Sequence, residues 1–147
     1  MDELRKNVMI SIRSRQEYEG TSPDSIELTT TGALTRTNGG FQLSYEESEL
    51  TGLEGTRTSF HISPNRVILT RSGQLNSEMV FEKGVRHLSH YVTPAGCLEV
   101  GVATRKMHST IDETGGVLEV DYSIDIDHQV AGESSFSLTV REAIISQ

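Results

Sequence analysis

An arginine ends the otherwise mostly apolar run Val67-Ile68-Leu69-Thr70-Arg71. If the run is extended, its side chains alternate between two faces, and Arg71 shares the face of Val67 and Leu69. A guanidinium on an apolar face needs a partner: a fixed carboxylate, carbonyl oxygens or an anionic ligand. Met79 and Phe81, in EMVFEKG, share one face of the next run and would line the same interior. Tyr45, Tyr91 and Tyr122 could add phenols, and Tyr122 lies on the apolar face of its own run. The bland alternative is an arginine at a rim, its stem on apolar surface and its head in water. A slip of one residue would also reverse the face.

Other chemistries find less support. His87 and His90, in HLSH, have metal-ligand spacing on a helix but face opposite sides of a strand. His61, His108 and His128 are scattered, so no metal site is assigned. Glu119, Asp121, Asp125 and Asp127 lack the loop and ligand order of a calcium loop and read as a solvated strand face. The glycines of GTSPDS and GGVLEV make turns; neither stretch has the pattern of a phosphate loop. Cys97 opens an apolar strand, where a small buried thiol is expected. There is no Gly-x-Ser-x-Gly elbow, and no catalytic residue or cofactor is assigned. An enzyme is the weaker class.

The elements that would position these groups are strands. In VLEVDYSIDID, Leu118, Val120, Tyr122, Ile124 and Ile126 take one face and acids most of the other. Val8, Ile10 and Ile12 alternate near the start, and Phe136, Leu138 and Val140 near the end. Asn38-Gly39-Gly40, Pro64-Asn65 and Thr114-Gly115-Gly116 supply turns between such runs. The count is eight to ten strands with short connections. The stretch from Tyr45 to Gly55 reads as a short helical turn or a long loop. Many strands with one apolar face each are covered by a sandwich or by a closed barrel, and the meandering order favours the barrel.

The 147 residues suit one domain, 1–147, with a core of its own. A net charge of −8 argues against nucleic acid and anionic lipid as partners. One cysteine forms no internal disulfide and fits a reducing compartment. The start, MDELRKNVMISIRS, has no apolar stretch of leader length, and no run approaches a membrane span, so a cytoplasmic location is expected.

VILTRSG, MVFEKG and HYVTPAGCLEVGVAT, in this order, resemble the YwiB-like family of bacterial domains of unknown function. The likeness spans about Val8 to Arg141 and is densest from Arg71-Ser72-Gly73 to Thr104, with Tyr91, Thr93-Pro94 and Gly96 in spacing. It implies an all-β, antiparallel, lipocalin-like (calycin) barrel and no reaction. Barrels of that kind that hold fatty acids grip the carboxylate with inward arginine and tyrosine. By that fold-level analogy Arg71, Tyr45, Tyr91, Tyr122, Met79 and Phe81 are the candidate ligand residues. The leading expectation is a non-enzymatic barrel binding a small, partly apolar or anionic ligand. Its rival is a filled barrel acting as a protein-interaction module or homo-oligomer.

Overall fold

The structure is a computed structural model and describes residues 5–18, 24–49, 53–73, 76–93, 96–127 and 129–143. Period-two alternation makes strands, and among the described residues there are ten and no helix. They are β1 (Arg5–Tyr18), β2 (Asp24–Thr37), β3 (Gly40–Glu46), β4 (Thr56–Ile62), β5 (Val67–Gly73), β6 (Ser77–Phe81), β7 (Arg86–Thr93), β8 (Gly96–Ser109), β9 (Gly115–Ile126) and β10 (Gln129–Glu142). All join one sheet in the order β6-β5-β4-β3-β2-β1-β10-β9-β8-β7, with every ladder antiparallel. Neighbours in sequence are neighbours in space, and β1 pairs with β10, so the meander rolls into a nearly closed barrel.

The gap in closure lies between β6 and β7. No ladder joins them; the chain turns at Glu82–Val85, where Val85 N–H donates to the Glu82 carbonyl at 3.0 Å. A parallel bridge, Lys83 to Thr104, and Gly84 N–H donating to the Thr104 carbonyl at 3.0 Å tie this turn to β8. His87 and Glu82 add a side-chain bond across the seam, 2.9 Å from Nε2 to Oε1. That bond is the first cause of the Glu82 carboxyl lying below its usual range, with Arg66 second. A bulge in β8 between Thr104 and Lys106 bends the strand at the same place.

Register explains which residues meet inside. Directly opposite residues of an antiparallel pair share a face. Phe41, Ile62, Val67 and Phe81 therefore form one rung across β3–β6, and Leu43, Phe60, Leu69 and Met79 the next. Across the barrel, Val8, Ile10, Leu118, Leu138 and Val140 are buried from β1, β9 and β10. Phe81, fully buried, packs its ring on Tyr122 and Phe136 with centroids 4.9 and 5.4 Å away. These residues plug the barrel at one level.

The walls differ in height. β1, β2, β8 and β10 have 14 residues and β9 has 12, whereas β3–β6 have 5 to 7. β3 leaves β2 at Ala33, so β2 from Asp24 to Gly32 pairs on one side only. A side chain at Gly32 would strike the Ser44 carbonyl and the Ile10 side chain where the two strands part. Residues of inward parity on the tall wall consequently emerge into solvent: Ile26 is 52% exposed, Leu98 42% and Ile126 38%.

Candidate functional site

The third rung of the short wall breaks the apolar sequence of the first two. It is Tyr45, Thr58, Arg71 and Ser77, at the same inward parity as Leu43, Phe60, Leu69 and Met79. Glu47 follows Tyr45 by two residues and continues this face past the end of β3, held by its N–H donating to the Thr56 carbonyl at 2.8 Å. The inward side of the short wall thus runs from apolar at the plug to polar at the open end.

A cavity of about 420 Å³ opens above the plug. Arg71, Tyr45 and Glu47 line one side, and Ile12, Ile26, Leu28 and Ile124 face them from β1, β2 and β9. Leu69, Met79, Phe60, Phe136 and Tyr122 lie deeper, and Leu53 reaches in from the β3–β4 connection. A pocket of this size, largely apolar with a few convergent polar groups, is what a small ligand site looks like.

The polar groups are connected. The Thr58 hydroxyl donates to Glu47 Oε2 at 2.5 Å, with Thr58 fully buried and Glu47 nearly so. Burial pushes the Tyr45 hydroxyl pKa well above its usual range; the Glu47 charge adds to the rise and the Arg71 charge opposes it. Tyr45 therefore stays a neutral phenol. Arg71 Nε is buried and has no hydrogen-bond partner, and none of the ion pairs among the described residues includes Arg71. A buried donor left unpaired is unfavourable by about 1–3 kcal/mol, so the position calls for an acceptor. Two other orphans, Thr104 Oγ1 and Ser134 Oγ, belong to the residues on either side of Tyr122 in the sheet.

The structure brings most of the residues anticipated from sequence to one place. Arg71 points inward as parity requires, Tyr45 stands in its rung, and Tyr122 and Met79 line the same cavity. Phe81 sits one layer down, in the plug. Tyr91 pairs with Leu98 in β7, and its side chain lies outside the described residues. Glu47 and Thr58 were not anticipated. Tyr45 to Gly55 reads as a turn or loop, whereas strand parity persists to Glu47 before the chain departs; a count of two from Tyr45 would have found it.

Cys97 corrects the expectation of a buried thiol: it is exposed, because strand parity sets it with Glu99 and Gly101 on the outward face of β8, opposite Leu98 and Val100. Among the described residues no group of histidines, cysteines and acids is arranged to hold a metal ion, and His128 lies outside them. His87 is taken by Glu82, and His90 is exposed. Asp125 departs from a merely solvated acid by forming a two-pronged pair with Arg86. No helix among the described residues is long and apolar enough to cross a membrane.

Residues 10–138 match the family described as a domain of unknown function, DUF1934. A curated relative is the uncharacterized β-barrel protein YwiB of Bacillus subtilis (strain 168), 26% identical over 119 residues that span 81% of this chain and 82% of that one. The crystal structure of the ywiB protein from Bacillus subtilis superimposes with a TM-score of 0.84 at 23% identity, covering 95% of this chain and 94% of the other. That likeness establishes the barrel fold.

Proposed function

The chain belongs to the DUF1934 family, and from that premise and the cavity we propose that it is a binding protein for a small, partly apolar anion. The observation that carries this reading is the buried, unpartnered Nε of Arg71 beside a cavity with an apolar floor. A carboxylate would supply the missing acceptor in a charge-assisted bond, with the neutral Tyr45 hydroxyl as a neighbour. The aliphatic body of the ligand would lie along Ile12, Leu28 and Ile124. The lipocalin-like analogy supports the same reading, as does an interior only partly filled. The exposed lone thiol supports a reducing, cytoplasmic setting.

Calorimetric titration with octanoate tests this, with octanol as the uncharged control. Octanoate is expected to bind to the protein and to lose about tenfold or more in affinity in Arg71→Met, since a bond to a charged group contributes about 1.5–3 kcal/mol. Equal binding by the wild type and Arg71→Met overturns the reading.

A second reading, self-association with the barrel as scaffold, is favoured by one observation. Ile26, Leu98 and Ile126 are large apolar residues left exposed on the tall wall, and Leu88 is exposed on β7. Light scattering after size exclusion decides it: a monomer at high concentration removes it.

A further inference from the structure

The two neighbours of β2 cover it unequally. β1 pairs with it from Asp24 to Thr35, whereas β3 begins at Ala33. Among the described residues nothing pairs with the other edge of β2 from Asp24 to Gly32, and every residue of that segment is exposed or half-buried. An unpaired strand edge presents a row of backbone donors and acceptors to an extended chain of matching length. Devices that usually blunt such an edge are missing here. The segment has no proline or lysine, and its ladder with β1 runs without a bulge. Its outward charge, Glu27, is held by Arg13 of β1, whose Nε donates to Oε1 at 2.8 Å. The free edges of β6 and β7, by contrast, flank the slit.

This segment is its own complement. Opposing residues of an antiparallel pair share a face, so a two-fold axis normal to the sheet pairs inward residues with inward and outward with outward. Leu28 is the midpoint of Asp24–Gly32, and an axis there engages the whole free length. Leu28 then meets its own counterpart, Ile26 meets Thr30, Glu27 meets Thr29 and Asp24 meets Gly32, so neither acid faces another acid. An axis one residue earlier would set two Glu27 carboxylates opposite each other, an unfavourable contact. One residue later, the ladder would run into Ala33, which is already paired with Ser44. Ile26, 52% exposed, lies within the joint so formed.

We propose that Asp24–Gly32 is the docking edge for a second copy of this chain, paired antiparallel about a two-fold axis at Leu28. This rests on the self-association reading above and names its surface. The joint merges the two barrels into one continuous sheet through both copies of β2. Because Ile26 and Leu28 also line the cavity, the joint stands against the cavity's β2 side in both copies.

Sedimentation velocity of the full chain over a concentration series tests this, and the wild type is expected to dimerise. Thr29, exposed on the outer face, meets Glu27 twice in the joint. Thr29→Glu is expected to weaken the dimer by about tenfold through two like-charge contacts, and Thr29→Lys to leave it as tight or tighter. In a Cys97→Ser background, Leu28→Cys is expected to give a disulfide-linked dimer with copper phenanthroline, because directly opposite residues lie within disulfide reach. Thr31→Cys, which faces Ser25 in the joint, is expected not to link. A monomer at millimolar concentration overturns the proposal together with the self-association reading, and leaves the edge to an extended segment of another protein. A dimer equally strong in Thr29→Glu and Thr29→Lys, or one that links through Thr31→Cys as readily as through Leu28→Cys, overturns this joint alone and leaves self-association by another face. The two Thr29 variants decide the matter by themselves if Leu28→Cys fails to fold.

Discussion

Arg86 and Asp125 reach across β8 from the strands on either side and meet above Gly101. Arg86 Nε donates to Asp125 Oδ2 at 2.9 Å and a terminal nitrogen to Oδ1 at 2.6 Å. Gly101 pairs with Asp125 on one side and Leu88 on the other, and a methyl group there would lie 2.5 Å from the guanidinium and from the carboxylate. The glycine leaves the bridge its passage.

Gly101→Ala should therefore reverse the usual sign. Within a strand, alanine ordinarily stabilises relative to glycine because the unfolded chain loses freedom. Here it should lower the melting temperature by displacing the pair. In an Arg86→Ala background, with the guanidinium gone, the same change should be neutral or stabilising. Thermal melts of the four proteins check this double-mutant cycle.

Phe81 has no solvent exposure and touches the rings of Tyr122 and Phe136. Phe81→Ala should destabilise by about 3–5 kcal/mol in denaturant unfolding, from lost burial and the void left behind. Phe81→Leu should recover most of it, which separates packing from a general intolerance of the site.

Tyr45 makes stability depend on alkaline pH. Its folded-state pKa is raised, mainly by burial, from an ordinary value of 10.0. Above that value the unfolded chain gives up the proton while the folded one keeps it, so the unfolded state gains. The contribution is whole below about pH 10 and is lost as pH rises beyond it. Tyr45→Phe should flatten this part of the curve of unfolding free energy against pH. Phenolate absorbance of the native protein should show the Tyr45 hydroxyl resisting ionisation until the fold is lost.

Cys97 should behave as an accessible thiol. Iodoacetamide under native conditions is expected to add a single label, seen as one mass increment, at a rate close to that of the unfolded protein. Strong protection in the folded state would contradict the exposed position.

Arg71 and Cys97 show what could be read in the sequence and what could not. Arg71 was legible because parity carries along a strand: Val67 and Leu69 point in, so the residue two further on does too, and register then delivers Tyr45 beside Thr58. Alternation identifies a face but not how far that face is covered. Leu118, Val120, Tyr122, Ile124 and Ile126 lie on one side of β9 as expected, yet the first three are buried, Ile124 is half-buried and Ile126 is exposed. Cover depends on the neighbouring wall, and the shortness of β3–β6 is a property of other segments. Cys97 is exposed for a simpler reason: it alternates with Leu98, Val100 and Val102 and so faces outward. Glu47 was missed because acids after a tyrosine suggest departure from the sheet, while one more rung forms before the chain leaves it.

The gap between β6 and β7 gives the cylinder the mechanics of a split ring. Elsewhere, widening it would mean breaking a row of backbone bonds all at once. At the slit, among the described residues, no ladder joins the two strands, and the polar ties are those from Lys83 and Gly84 to Thr104 and the His87–Glu82 link beside the Glu82–Val85 turn. A strain on girth would therefore fall first on this slit, while the laddered wall opposite keeps its shape.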